Sequence, residues 1–232
     1  MPESATHGAV RETSRLEAFN DAVLAIAITL PVVELVRRSE GRKRDLLSEL
    51  MESWPLFLAY AISFVVIGLH WSTSHFSGKL MEKTDHGYNL LNLLFLAAVS
   101  VVPLPATIWA EHATDTANVR TASAVLAAGL LAPSLLWAVN STYAQRRGLI
   151  DPRLSDAHRR IVALRNWAAV AVNALGLAAV FLDWRLGLAI AGAVTLAHAW
   201  PPAAPRYKPG QEPSDELEEP DERPGRVDAS GA

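Results

Sequence analysis

The chain has 232 residues, half of them hydrophobic, a formal net charge of -3 and no cysteine. Without cysteine it holds neither a disulfide nor a thiolate metal site, and a net charge this small, with its acidity gathered in the last stretch, gives no basis for nucleic-acid binding. Charges stand in short clusters between long runs nearly free of Asp, Glu, Lys and Arg, which predicts an all-α integral membrane protein rather than a soluble domain.

In chain order, residues 1–14 form an N-terminal cytoplasmic segment, residues 15–201 a membrane domain of six helices, and residues 202–232 a disordered, acidic, proline-rich tail too poor in apolar side chains to offset its ordering entropy. The six predicted spans are Phe19–Val36, Trp54–His75, Asn89–Ala110, Val119–Tyr143, Ile161–Leu182 and a marginal Trp184–Trp200. The apolar run of the first span is preceded by Asn20 and Asp21 and followed by no small-residue cleavage site, so the span is expected to remain in the mature protein. Pro31, Pro103, Pro105 and Pro133 fall inside or near the ends of spans, which membrane helices tolerate when neighbours satisfy the freed carbonyls. Trp54, Trp71, Trp109, Trp184 and Trp200 lie near span ends, as an interfacial belt requires. Asp183-Trp184-Arg185 leaves almost no loop, so the last two spans should form a tight hairpin.

With both termini in the cytoplasm of a multi-pass plasma-membrane protein, the inner segments carry 14 basic residues and the outer ones seven, as the charge rule favours. Arg37, Arg38, Arg42, Lys43 and Arg44, crowded into the first outer loop, pull the other way.

The first span carries the strongest functional signal. From Ala22 to Val33 it is apolar on every face except at Thr29, a pattern of lipid or of a large core. At about 100° per residue, Phe19, Ala22, Ile26, Thr29, Leu30 and Val33 gather within about 60° of the line through Arg15. Ile26 and Val33 lie nearest its centre, while Asn20 and Asp21 point toward neighbouring helices. Periodicity alone favours the plainer reading, that these residues pack against lipid or other helices.

The charged opening Arg15-x-x-x-Phe19-Asn20-Asp21, running straight into an Ala/Ile/Thr-rich helix, is joined by Trp71-x-x-x-His75, then Asp85, Asn92 and Pro103-Leu-Pro-Ala-Thr107. In combination these resemble the endolysosomal potassium channel family (transmembrane protein 175 type), specifically its prokaryotic six-helix members, over roughly Arg15 to Thr107. Asn20 stands where the family usually has Ser, Leu104 where Phe is expected, Thr107 one place late, and Pro31 where another apolar residue is usual. The resemblance implies a homotetramer in membrane lipid that passes K+ without a carbonyl filter. Its pore would be lined by the first helix, with a constriction at Ile26, Thr29 or Leu30, and Val33. Rings of branched apolar side chains gate by dewetting and sort ions by size and hydration.

Arg15, Phe19, Asn20, Asp21, Trp71, His75 and Asp85 are expected to support the pore helix, with Arg15, Asp21, His75 and Asp85 pairing among themselves because each is costly unpaired near lipid. Pro31 removes a hydrogen bond to the Ala27 carbonyl and is expected to kink the helix. Glu34 either forms an acidic ring at the pore mouth, concentrating cations, or pairs with Arg37 or Arg38. His70 and His75 lie about 140° apart and make no metal pair, and His198, lone in its span, reads as a satisfied histidine. No phosphate loop, G-x-S-x-G or H-E-x-x-H is present, so neither catalysis nor a cofactor is expected. A secondary transporter, a proton-conducting protein and a non-conducting structural protein are the competing classes. The transporter is disfavoured by the lack of internal repeats and of midplane charge.

Overall fold

In the computed structural model, the structure describes residues 3–39, 47, 51, 53–200 and 204–211, with the side chains of residues 3–13, 30 and 34–39 outside the described set. Among the described residues there are seven helices, which we number α1 Glu3–Ser39, α2 Trp54–Gly78, α3 His86–Val101, α4 Pro103–His112, α5 Val119–Arg147, α6 Asp156–Val180 and α7 Trp184–Ala197. Five apolar passages are long enough to cross a membrane, with α3 and α4 sharing one of them, His86–His112. The sixth, α7, has 14 residues, about 21 Å of rise against a hydrocarbon layer of about 30 Å. The fold is therefore all-helical and multi-span, as the sequence predicts, with its last helix shorter than the predicted Trp184–Trp200.

Prolines explain the helix boundaries. Pro103 has no amide to give the preceding turn, and there the predicted third span divides into α3 and α4. The break is mended locally, since Ala106 N–H donates to the Val102 carbonyl at 3.2 Å and the Thr107 hydroxyl to the Pro103 carbonyl at 2.9 Å. Pro55 opens α2 from the first turn, where its missing amide costs nothing. Pro31 lies inside α1, which runs from Glu3 to Ser39.

Caps set the remaining ends. Asp85 and Ser155 accept from the amides of Tyr88 and His158 to start α3 and α6, and Asp183 does the same for α7. Gly148, at φ 63°, ends α5 in the left-handed conformation that glycine adopts without strain. In the α6–α7 hairpin the backbones nearly touch: a Cβ on Gly187 would stand 2.7 Å from the Gly176 carbonyl oxygen and 2.6 Å from Val180 N.

Among the described residues, helix α5 is the hub, packing on α3, α4, α6 and α7, whereas α1 packs chiefly on α2 and α3. One core joins Val66, Val102, Ala106, Leu126, Leu130 and Ala191; a second joins Leu24, Ala27, Ile67, Phe95, Val99 and Trp137. At the end of the bundle near Arg15, backbone bridges Met81–Ile150 and Leu154–Tyr207 stitch the 79–85 loop, the 148–155 loop and the chain after α7 together. Arg206 carbonyl accepts from Ser155 N at 2.8 Å and Lys208 N donates to Arg153 O at 2.8 Å. The predicted disorder from residue 202 is thus corrected for residues 204–211: the bonding partner is backbone, which composition does not reveal. Residues 212–232 of the predicted tail lie outside the described residues.

Candidate functional site: the outward face of the first helix

One side of α1 is buried and the other has no partner among the described residues. Leu24 and Ala27 are each 2% exposed and pack with Ile28 on the second core, while Phe19, Ile26 and Val33 are 47%, 60% and 63% exposed. Ala22, Ala25 and Thr29 share the exposed side. A 3.6-residue period thus divides the helix into a clamped face and a free one. The side chains of Leu30 and Glu34 lie outside the described residues. Thr29 turns its hydroxyl back on the helix, its single proton shared between the carbonyls of Ala25 at 3.2 Å and Ile26 at 3.0 Å.

Two polar bonds pin the Arg15 end of the clamped face. Asn92, buried on α3, donates its amide to Asn20 Oδ1 at 2.7 Å, and Trp71 Nε1 donates to Asp21 Oδ1 at 2.8 Å. The Trp71 ring stacks on His75, centroids 5.6 Å apart and planes 16° apart. Asn20 and Asp21 do point to neighbouring helices, and Trp71 and His75 share one face of α2.

The expected mutual pairing of Arg15, Asp21, His75 and Asp85 is corrected. Asp21 is taken by Trp71, and Asp85 faces α5, where it accepts from Tyr143 OH at 3.1 Å and Arg147 Nε at 3.5 Å. Arg15 is exposed and joins neither carboxylate among the described residues. The reason is geometric: Asp85 caps α3, so its side chain is held over the first turn of that helix, beside the last turns of α5. The Tyr88 amide, then Tyr143 and Arg147, hold its carboxyl below the usual carboxylate range. Tyr143 and Arg147 escaped sequence reading because they lie 58 and 62 residues away, and no periodicity links them to Asp85. His198 is satisfied as expected, Nδ1 lying 2.8 Å from the Val194 carbonyl. Its neighbour is one that the sequence did not show, His70, at 6.3 Å between ring centroids. No cluster of three metal-ligating side chains occurs among the described residues.

These features define a multi-pass helical membrane protein that leaves the first helix unpartnered along one stripe. A family profile described as "Endosomal/lysosomal potassium channel TMEM175" matches residues 15–103. The chain is 31% identical over 193 residues to "Potassium channel B446_29190" of Streptomyces collinus, covering 82% of this chain and 93% of that one. It is 37% identical over 128 residues to "Potassium channel Cha6605_3372" of Chamaesiphon minutus, covering 54% and 63%. The human "Endosomal/lysosomal proton channel TMEM175" is 35% identical over 98 residues, 39% of this chain and 19% of that protein. Among solved structures, the crystal structure of "a lysosomal potassium-selective channel TMEM175 homolog" from Chamaesiphon minutus superposes with a TM-score of 0.68 at 27% identity, covering 84% of this chain and all of that one. The chain belongs to the TMEM175 family.

Proposed function

We propose that this protein is a potassium-selective, or weakly selective, cation channel of the plasma membrane, with four copies around an axis, both termini cytoplasmic, and α1 of each copy lining the path. One observation carries the reading: the stripe Phe19–Ile26–Val33 is free while the opposite side of the same helix is clamped by Asn92, Trp71 and the second core. A single copy offers one such stripe, so a closed path needs several, and cyclic symmetry is the usual solution.

Ile26, Thr29, Leu30 and Val33 then form the constriction, and Glu34 faces the mouth. Rings of branched side chains exclude water until the path widens, and a narrow dry ring favours the cation that sheds its hydration more easily. The choice of potassium rests on the names of the bacterial relatives. Proton conduction is the second reading, favoured by the name of the vertebrate relatives. The absence of cysteine makes the test clean. Ile26→Cys or Val33→Cys should let a cationic thiol reagent block the current, and Ile28→Cys should not. Equal insensitivity of all three would remove α1 from the path. A reversal potential that follows the pH gradient and ignores potassium would favour the proton.

A further inference from the structure

Away from α1, an apolar groove of about 590 Å³ lies between α2 and α7, floored by Trp109, Leu126 and Leu130. Its mouth is at the membrane end where α4 stops and α7 starts, and there the Arg185 guanidinium sits 4.7 Å over the Trp184 ring. Among the described residues Arg185 has no carboxylate partner; nearby Asp183 is occupied in accepting from the amides of Arg185 and Leu186. Trp109 spends its indole N–H on Ser123 at 3.1 Å, so it offers the groove only an apolar ring. Deeper in, a Cβ on Gly192 would meet nothing within 4 Å: the groove wall is open there.

We infer that this groove is a binding site for one phospholipid of the adjoining leaflet, its phosphate on Arg185 and an acyl chain lying along α7. The dimensions fit a lipid. The lining runs from Trp184 to Leu196, about 18 Å of helix rise, against about 15 Å for half of a hydrocarbon layer. Charge fits too, since a guanidinium at headgroup depth pairs with phosphate through parallel N–H donors, and tryptophan belongs at that depth. The short α7 leaves a gap in the protein wall that a lipid chain fills.

The test uses the full-length protein in phosphatidylcholine vesicles containing phosphatidylglycerol with a photoactivatable group midway along one chain. Adducts are mapped by mass spectrometry, with the mass of the assembly read in parallel. Adducts on the groove floor, at Leu126 and Trp109, are expected. Arg185→Ala should lower them about fivefold, the weight of one basic side chain against an anionic headgroup. Gly192→Leu, which fills the open wall, should abolish them, and Arg120→Ala, an exposed arginine outside the groove, should leave them unchanged. Adducts confined to outward residues such as Leu182, or floor adducts that survive both Arg185→Ala and Gly192→Leu, would overturn the site. So would a Gly192→Leu chain whose assembly falls apart with floor labelling intact, which would make the groove an interface between copies. Should Gly192→Leu fail to fold, the wild-type map and Arg185→Ala still decide.

Discussion

At the scale of single residues, Ile26 and Ile28 are a matched pair: the same side chain, about 160° apart on one helix, one 60% exposed and the other packed on the second core. Ile26→Asn puts an amide in the proposed dry ring, so conductance should rise and selectivity fall in single-channel records. Ile28→Asn buries the same amide among Leu24, Ala27 and their neighbours and should cost at least about 2 kcal/mol of stability, read as a lower melting temperature with no gain in conductance. If both variants conduct like wild type, α1 does not line the path. Asp85 gives a pH prediction. Its folded pKa lies below its ordinary value, so the stability it contributes is present above the ordinary carboxylate range and is lost as pH falls through the folded value. The melting temperature should drop on acidification to about pH 3, and Asp85→Asn, which keeps an N-cap oxygen without the titration, should flatten that part of the drop. An identical acid profile in the two proteins would show that Asp85 is not the group responsible.

At the scale of elements, two junctions deserve separate tests. The α1 clamp depends on Asn92, and Asn92→Leu leaves the Asn20 amide without its partner, at a cost of about 1–3 kcal/mol. We expect a lower melting temperature together with altered gating, because the loosened element is the proposed pore wall; altered stability with unchanged currents would separate the clamp from conduction. The α6–α7 hairpin depends on Gly187, where any Cβ runs into the backbone of α6. Gly187→Ala should destabilise by about 1–3 kcal/mol, whereas Gly192→Ala, into open space, should change the melting temperature little. The spans themselves were legible because their signal is local, long apolar runs between charge clusters; the caps at Asp85 and Asp183, the stop at Gly148 and the break at Pro103 came only with the structure. The two faces of α1 were legible too, since a helical period assigns Ile26 and Ile28 to opposite sides. What stayed hidden was every contact between elements distant in sequence. Arg147 on Asp85, Asn92 on Asn20, His70 beside His198 and Tyr207 bridged to Leu154 depend on which helix ends meet, and side-chain period carries no such information.

At the scale of the molecule, among the described residues α1 packs chiefly on α2 and α3 and leaves Phe19, Ile26 and Val33 open, which makes the single chain an incomplete object. The proposed assembly would complete it. A mass of four chains is expected in lipid or mild detergent, and a stable monomer that still conducts would contradict a central path built from α1. Most direct is a planar bilayer recording of the purified protein with potassium on one side and sodium on the other. The channel reading predicts a steady current that reverses on the potassium side of zero; reversal at zero would remove the selectivity, and no current at all would contradict conduction itself.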